Sequence, residues 1–105
     1  MDIEYKRKFL QKYRILITKI SRLKDMINIC PENRNRYLSE IEQCIRVRDG
    51  IENAINKVDG DILTEILSLK YMCGKTLEEI ALDICYSKRQ TERLHIKALL
   101  ALDAV

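Results

Sequence analysis

The chain has 105 residues, of which 47% are apolar and 33% charged, and it contains three glycines, one proline and no tryptophan. These proportions disfavour a β-sandwich, a barrel or a disordered tail, and they predict a strongly helical protein with one domain, or a small domain with a helical extension. The net charge of +3 is modest, so bulk charge does not by itself indicate nucleic acid. Because so small a core is limited, we expect helix pairing or oligomerisation.

The four cysteines, Cys30, Cys44, Cys73 and Cys85, are widely separated, and the sequence has one histidine. Zinc ligands occur at closer, paired spacings, so we predict no metal site and no cofactor. The longest apolar run, Ala98–Leu102, is far shorter than a membrane span, and no signal-peptide pattern opens the sequence. We therefore expect reduced cysteines in a cytoplasmic protein that does not bind a membrane.

A first helix is predicted from Ile3 to about Ile29, a stretch without glycine or proline. Its apolar residues recur at alternating steps of four and three, the spacing of a coiled-coil seam. They are Phe9, Tyr13, Leu16, Ile20, Leu23, Ile27 and Cys30, with Leu10 and Ile17 on one side. The opposite face carries Lys8, Lys12, Lys19 and Arg22. A solvated amphipathic face is the simplest interpretation, with a phosphate-contacting face or a patch for an acidic partner as alternatives.

Pro31 ends this helix, because a proline disfavours the helical conformation in the residue before it. A second apolar repeat follows from Tyr37 to Val58. Gly50 lies inside it, and since an interior glycine costs about 1 kcal/mol, a kink or break there is an alternative to a continuous helix. The short connection favours an antiparallel hairpin of the two helices. A parallel coiled-coil dimer through the first helix is the competing arrangement.

Asp59-Gly60-Asp61 divides the chain. We predict that Gly60 is a helix C-cap and Asp61 an N-cap, so that one helix ends at Val58 and the next starts at Ile62. The third helix is then expected from Ile62 to Met72, closing at Gly74.

Two further short helices are predicted after Gly74. Thr76 and Glu79 form the T-x-x-E pattern of a capping box, which starts the fourth helix. The small Ala81 suits a close helix crossing, Cys85-Tyr86 forms the turn, and Ser87 caps the fifth helix. Two short helices joined by a tight turn, the second beginning with cationic and amide side chains, are the layout of a DNA-reading helix-turn-helix.

The start of the fifth helix carries the candidate DNA-binding residues. One face of this helix is expected to pack inward, because apolar and small residues recur at helical spacing: Thr91, Leu94, Ala98, Leu99 and Leu102. The polar residues at its start are therefore left facing outward. The candidates are Ser87, Lys88, Arg89, Gln90, Glu92, Arg93 and Lys97. A helix in the major groove presents its N-terminal residues to base edges, where Arg bonds guanine and Gln bonds adenine through two hydrogen bonds. We expect Lys97, His95 at the helix flank, and the Ser87 cap to face phosphates.

The patterns Y-x-x-G-x-T-x-E-E-I-A and Y-S-x-R-Q-x-x-R-L-H-x-K-A-L, within about residues 62–102, resemble the helix-turn-helix of region four of sigma-seventy-type factors. The stretch is also similar to small phage and prophage proteins, the ArpU/RinA-like late-transcription regulators, which join a coiled-coil N-terminus to this motif. Residues 1–60 match only in architecture and show none of the other sigma regions, so we do not expect a stand-alone sigma factor.

The resemblance implies that the last helix binds promoter-like duplex DNA. It places Lys88, Arg89 and Arg93 where region-four domains touch bases, and Ser87 and Glu92 at backbone-contacting positions. Cys85 stands where such a turn usually has a glycine.

We predict an all-α protein in which a long N-terminal helical hairpin or coiled coil, residues 1–58, precedes a sigma region-four-like, three-helix DNA-binding unit, residues 61–105. The predicted function is sequence-specific regulation of transcription on double-stranded DNA, of the phage or prophage late-gene type, by a homodimer or higher oligomer. RNA polymerase is a candidate partner. The alternatives are a small-terminase-like DNA-packaging adaptor and a module that docks on RNA polymerase. No catalytic grouping surrounds His95 and no phosphate-binding glycine loop occurs, so we do not expect an enzyme.

Overall fold

The computed structural model describes residues 2–103, which form five α-helices and no strand. The elements are α1 (Ile3–Ile29), a 3-10 turn (Pro31–Asn33), α2 (Arg34–Asn56), α3 (Asp61–Leu67) continuing as a π-helical turn (Ser68–Met72), α4 (Leu77–Ile84) and α5 (Lys88–Ala101). This confirms the all-α fold class. No helix among the described residues is long and apolar enough to cross a membrane.

The first two helices form an antiparallel hairpin within one chain, as the short connection predicts. The Asp2 carboxylate caps α1 by accepting the Tyr5 amide proton at 2.8 Å. At the far end of the hairpin, Leu23 of α1 packs in one cluster with Tyr37 of α2. Near the chain start, Leu10 packs with Ile51. The apolar seam of α1 is therefore occupied by α2 along the length of the hairpin.

The alternative of a break at Gly50 is wrong, because α2 runs without interruption from Arg34 to Asn56. A side chain at Gly50 would meet no atom within 4 Å, so the glycine does not serve a close contact. The neighbouring Ile51 and Ile55 are fully buried. Their packing fixes this part of the helix and outweighs the intrinsic cost of about 1 kcal/mol of an interior glycine.

The helix boundaries near Gly60 differ from those predicted. α2 ends at Asn56, two residues before Val58, and Gly60 is the residue before α3, so Asp61 lies in the first turn and is not the N-cap. Gly60 has φ 122°, which a residue with a side chain rarely adopts, and its carbonyl accepts the Thr64 amide proton at 3.0 Å. Gly60 thus allows the backbone to turn between the end of α2 and the start of α3.

One hydrophobic core joins the hairpin to the C-terminal helices. Its members come from both sides of the Gly60 boundary: Leu10, Ile51, Ala54, Ile55, Val58, Leu63, Leu67, Tyr71, Ala98, Leu99 and Leu102. A second, smaller cluster of Ile20, Leu23, Tyr37, Ile41 and Cys44 lies farther along the hairpin. The regions before and after Gly60 therefore share one core of eleven buried side chains.

Two polar contacts of α1 add to this shared core. Lys6 is buried, and its ammonium donates to the Leu100 carbonyl in the last turn of α5 at 3.1 Å. Helix ends leave such carbonyls without partners, and a cation there also complements the helix dipole. Arg14 donates to the Met72 carbonyl at 3.3 Å and packs against Gly74, where a Cβ would lie 2.8 Å from its guanidinium. α1 therefore holds both the end of α5 and the loop before α4.

We expect Leu10→Ala to destabilise the hairpin and the C-terminal helices together, by about 2–5 kcal/mol, because the truncation leaves a cavity in their common core. Denaturant unfolding followed by circular dichroism and by a fluorophore placed on α5 checks this. The control Ile15→Ala, at a position 70% exposed, should change stability by less than about 0.5 kcal/mol. Separate transitions for the two probes in Leu10→Ala would contradict the shared core.

Candidate nucleic-acid interface

The predicted capping box sets the start of α4. The Thr76 hydroxyl accepts the Glu79 amide proton at 3.2 Å, and the Glu79 carboxylate accepts the Thr76 amide proton at 3.1 Å. Each side chain thus satisfies a backbone N–H that has no partner inside the helix. Ile80 and Ala81 are buried behind this turn, as their spacing predicts.

The turn between α4 and α5 is closed by a residue in the left-handed conformation. Cys85 has φ 60° and ψ 39°, and it is the one described non-glycine residue with positive φ. The Tyr86 amide donates to the Ala81 carbonyl at 3.0 Å and the Cys85 amide to the Leu82 carbonyl at 3.3 Å, the pattern of a Schellman ending. Glycine is the usual residue here because a Cβ is disfavoured in this conformation.

Ser87 caps α5 as predicted. Its hydroxyl accepts the Gln90 amide proton at 3.1 Å, and its carbonyl accepts the Thr91 hydroxyl at 2.8 Å. Thr91, Ala98 and Leu99 are fully buried, which confirms the predicted inward face of α5. The residues Ser87–Gln90 at the capped start are therefore exposed, while Thr91 holds the same end of the helix on the protein.

All seven predicted DNA-binding side chains are exposed, but the structure groups them unequally. Arg89 and Arg93 are one helical turn apart and line a shallow groove with Glu92 and the half-buried Ile96. Arg93 also borders a second depression with Gln90, Leu94 and Lys97. Within residues 2–103, neither arginine makes an ion pair. Arg89, Gln90, Arg93 and Lys97 thus form one continuous face, which we call the α5 face.

Lys88 is exposed but engaged by two carboxylates. Its ammonium lies 2.7 Å from Glu78 of α4 and 3.9 Å from Glu92 of α5. Glu78, as hydrogen-bond acceptor, raises the pKa of Lys88, and the ammonium lowers the pKa of Glu78. Sequence reasoning missed Glu78, because the pairing depends on how two helices cross. The local positive charge is therefore smaller than the sequence indicates.

The prediction that His95 lies at the flank and faces phosphates is wrong. Its side chain is 4% exposed, and its Nε2 is hydrogen-bonded to the Tyr71 hydroxyl at 2.7 Å. Burial, followed by the nearby charges of Lys70 and Arg7, lowers the pKa of His95 to about 4. The imidazole is therefore neutral at pH 7. Sequence carried a signal for this, since His95 falls at helical spacing between the buried Thr91 and Leu99.

No family model, curated protein or solved structure matches the chain.

Among the described residues, no group of three or more His, Cys, Asp or Glu side chains is arranged to hold a metal ion.

Cys85→Gly should stabilise the protein by about 0.5–1 kcal/mol, because glycine adopts the left-handed conformation without the steric penalty of a Cβ. Part of this gain is offset, since glycine also increases the conformational entropy of the unfolded chain. Thermal unfolding under reducing conditions measures the difference. Cys85→Ala is the matched control and should give no gain, since alanine keeps the Cβ. An equal gain in both variants would show that the thiol, not the backbone conformation, is responsible.

We expect the free energy of unfolding to fall as the pH is lowered from about 6.5 towards 4. The unfolded histidine has a pKa near 6.5 and the folded one about 4, so the unfolded state binds the extra proton in this window. The contribution of the neutral, buried His95 to the free energy of unfolding is fully present above pH 6.5. About 1–2 kcal/mol of this contribution should be lost by pH 5.

Denaturant titrations at pH 7 and 5 test this pH dependence. His95→Gln should remove most of it, whereas Tyr71→Phe, which keeps the buried histidine, should retain it. The same pH dependence in His95→Gln as in the unmodified protein would contradict the assignment.

Proposed function

We propose that the protein is a sequence-specific, double-stranded DNA-binding regulator of transcription, and that the first two turns of α5 enter the major groove. The observation that carries the proposal is the α5 face: a capped, exposed helix start with Arg89 and Arg93 one turn apart and without ion-pair partners among the described residues. In helix-turn-helix proteins the N-terminal residues of the second helix contact base edges.

The chemistry of the α5 face suits bases on one side and phosphates on the other. Each guanidinium can donate two hydrogen bonds to a guanine, and Gln90 can exchange two with an adenine. Lys97 lies one turn after Arg93 and two turns after Arg89, where it is placed to contact a phosphate. Such a contact adds affinity that does not depend on the base sequence. The Ser87 hydroxyl already accepts the Gln90 amide proton, but its own proton remains available to a phosphate oxygen.

Lys88 and Glu92 take supporting roles in this proposal. A base contact by Lys88 would require breaking its 2.7 Å pair with Glu78. We therefore propose that Lys88 links α4 to α5 through this exposed ion pair, while Arg89 and Arg93 read the sequence. This revises the base-contacting position that the resemblance implies for Lys88.

The resemblance to sigma region four and to ArpU/RinA-like proteins supports a late-gene regulator of a phage or prophage, working in the cytoplasm. A single helix of this kind touches few base pairs, and two linked copies gain affinity through effective concentration. We therefore propose that a homodimer or higher oligomer is the DNA-binding form. Contact with RNA polymerase belongs to the same proposal.

One observation favours a second function, docking on another protein through α4. Leu82 is 80% exposed on α4, and the neighbouring carboxylates are already engaged, Glu78 by Lys88, Asp83 by Lys75 and Glu79 by the capping box. An exposed apolar residue suits a small apolar pocket on a partner protein. Binding to such a partner would depend on Leu82 and not on the α5 arginines.

Replacing Arg89 and Arg93 together by alanine should remove most discrimination between the preferred duplex, found by selection from a random pool, and an unrelated one. Each lost guanine contact is worth about 1–3 kcal/mol, so the affinity ratio should fall at least tenfold. Gel shifts with both duplexes measure it.

Arg34→Ala with Arg46→Ala, two exposed α2 positions, is the control for the loss of two charges and should keep the ratio. Both arginines of α5 are exposed, so circular dichroism should show an unchanged fold. Unchanged discrimination in the α5 variant would overturn the assignment of these arginines as readers.

A further inference from the structure

The first helix holds an unbroken region of positive charge. Between Tyr5 and Lys24 there are eight Lys or Arg residues and no Asp or Glu, in a chain whose net charge is +3. Three of the eight have structural partners: Lys6 bonds the Leu100 carbonyl, Arg14 bonds the Met72 carbonyl, and Arg7 lies 3.6 Å from Glu4. The others are available for a role outside the fold of this chain.

Four of these cations form a straight stripe, which we call the α1 stripe: Lys8, Lys12, Lys19 and Arg22. They are exposed, and none of them makes an ion pair within residues 2–103. With Ile15 between them, the positions are separated by steps of four, three, four and three, so they stay on one side of the helix. The opposite side packs against α2.

The dimensions of the α1 stripe suit a nucleic-acid backbone. Lys8 and Arg22 are 14 residues apart, or roughly 21 Å along a helix with a rise of about 1.5 Å per residue. One strand of a duplex presents a phosphate about every 3.4 Å of its axis, so roughly six phosphates occupy that length. Four cations that make no ion pair within residues 2–103 can neutralise a large part of them.

The surroundings of the stripe argue against a lipid surface and against an acidic protein. A helix that lies in a membrane inserts a broad apolar face, and the apolar face of α1 is buried against α2 and α5. Protein interfaces have an apolar or aromatic centre, whereas Ile15 is the one apolar residue in the stripe. A polyanion needs no such centre, because its affinity comes from phosphate contacts and counterion release.

We propose that the α1 stripe is a second nucleic-acid-binding surface, which contacts phosphates of duplex DNA beyond the base pairs read by α5. The proposal rests on the proposed function only for the choice of duplex DNA as ligand. The α1 stripe and the α5 face are separate surfaces. Lys6 of α1 contacts the last turn of α5, whereas the first turn of α5 lies roughly 20 Å from that contact, at about 1.5 Å per residue. The α1 stripe thus adds affinity that does not depend on sequence.

The test compares two triple variants of the full chain with equal loss of charge. In one, Lys12, Lys19 and Arg22 of the stripe are replaced by Gln. In the other, Arg34, Arg46 and Lys57, exposed on and after α2, are replaced by Gln. Binding to a random-sequence duplex of about 30 base pairs, three helical turns, is measured by fluorescence anisotropy at several salt concentrations between about 50 and 200 mM. Circular dichroism and thermal unfolding verify that both variants keep the fold.

The stripe variant should bind at least tenfold more weakly, and the slope of log affinity against log salt should become less steep by about 2–3, close to 0.9 for each lost phosphate contact. Equal losses in the two triple variants would overturn the proposal, as would an absence of duplex binding by the unmodified chain at the lowest salt. A selective loss of binding to polyglutamate, or to vesicles containing phosphatidylglycerol, with duplex binding intact would also overturn it.

The proposed function and the α1 stripe fail in different ways. If the α5 arginine variant keeps full discrimination while the stripe variant loses salt-dependent binding, the stripe is supported and the readout by α5 is overturned. If the arginine variant loses discrimination and the stripe variant binds like its control, the readout by α5 is supported and the α1 stripe is overturned.

Discussion

The packing of α1 on the second half of α5 is the constraint on which the rest of the structure depends. Leu10 lies fully buried among side chains of α2, α3 and α5, and the Lys6 ammonium holds the Leu100 carbonyl at the end of α5. A helix of 14 residues gains little stability alone. Because its second half is fixed in this core and Thr91 is buried in its first half, the exposed side of its first two turns holds its arginines in one orientation.

The α5 face carries few free charges. Lys88 is paired with Glu78 and Glu92, so among the residues that the structure describes the cations near the helix start without an ion pair are Arg89 and Arg93, with Lys97 farther along. Sequence-independent attraction to a duplex grows with the number of phosphate contacts. A DNA-binding role for α5 therefore favours discrimination over strong general affinity, and the cations of α1 are a natural source of the missing affinity.

Features encoded by neighbouring residues were predictable from the sequence. The bounds of α1, its end before Pro31, the capping box at Thr76 and the Ser87 cap each depend on residues within one helical turn. Features that depend on distant partners were not. Tyr71 and His95 are 24 residues apart, Lys6 and Leu100 are 94 apart, and the Lys88–Glu78 pair depends on the helix crossing. The continuity of α2 at Gly50 was also decided by packing.

The most direct test of the central claim is NMR spectroscopy of the isotope-labelled chain during titration with its selected duplex. If α5 reads the duplex, the guanidinium signals of Arg89 and Arg93 and the amide signals of Ser87–Gln90 should change most, while the amide signals of Leu38 and Ile41 at the far end of the hairpin should stay unchanged. Saturable binding of the duplex with no change in the two arginine signals would contradict it.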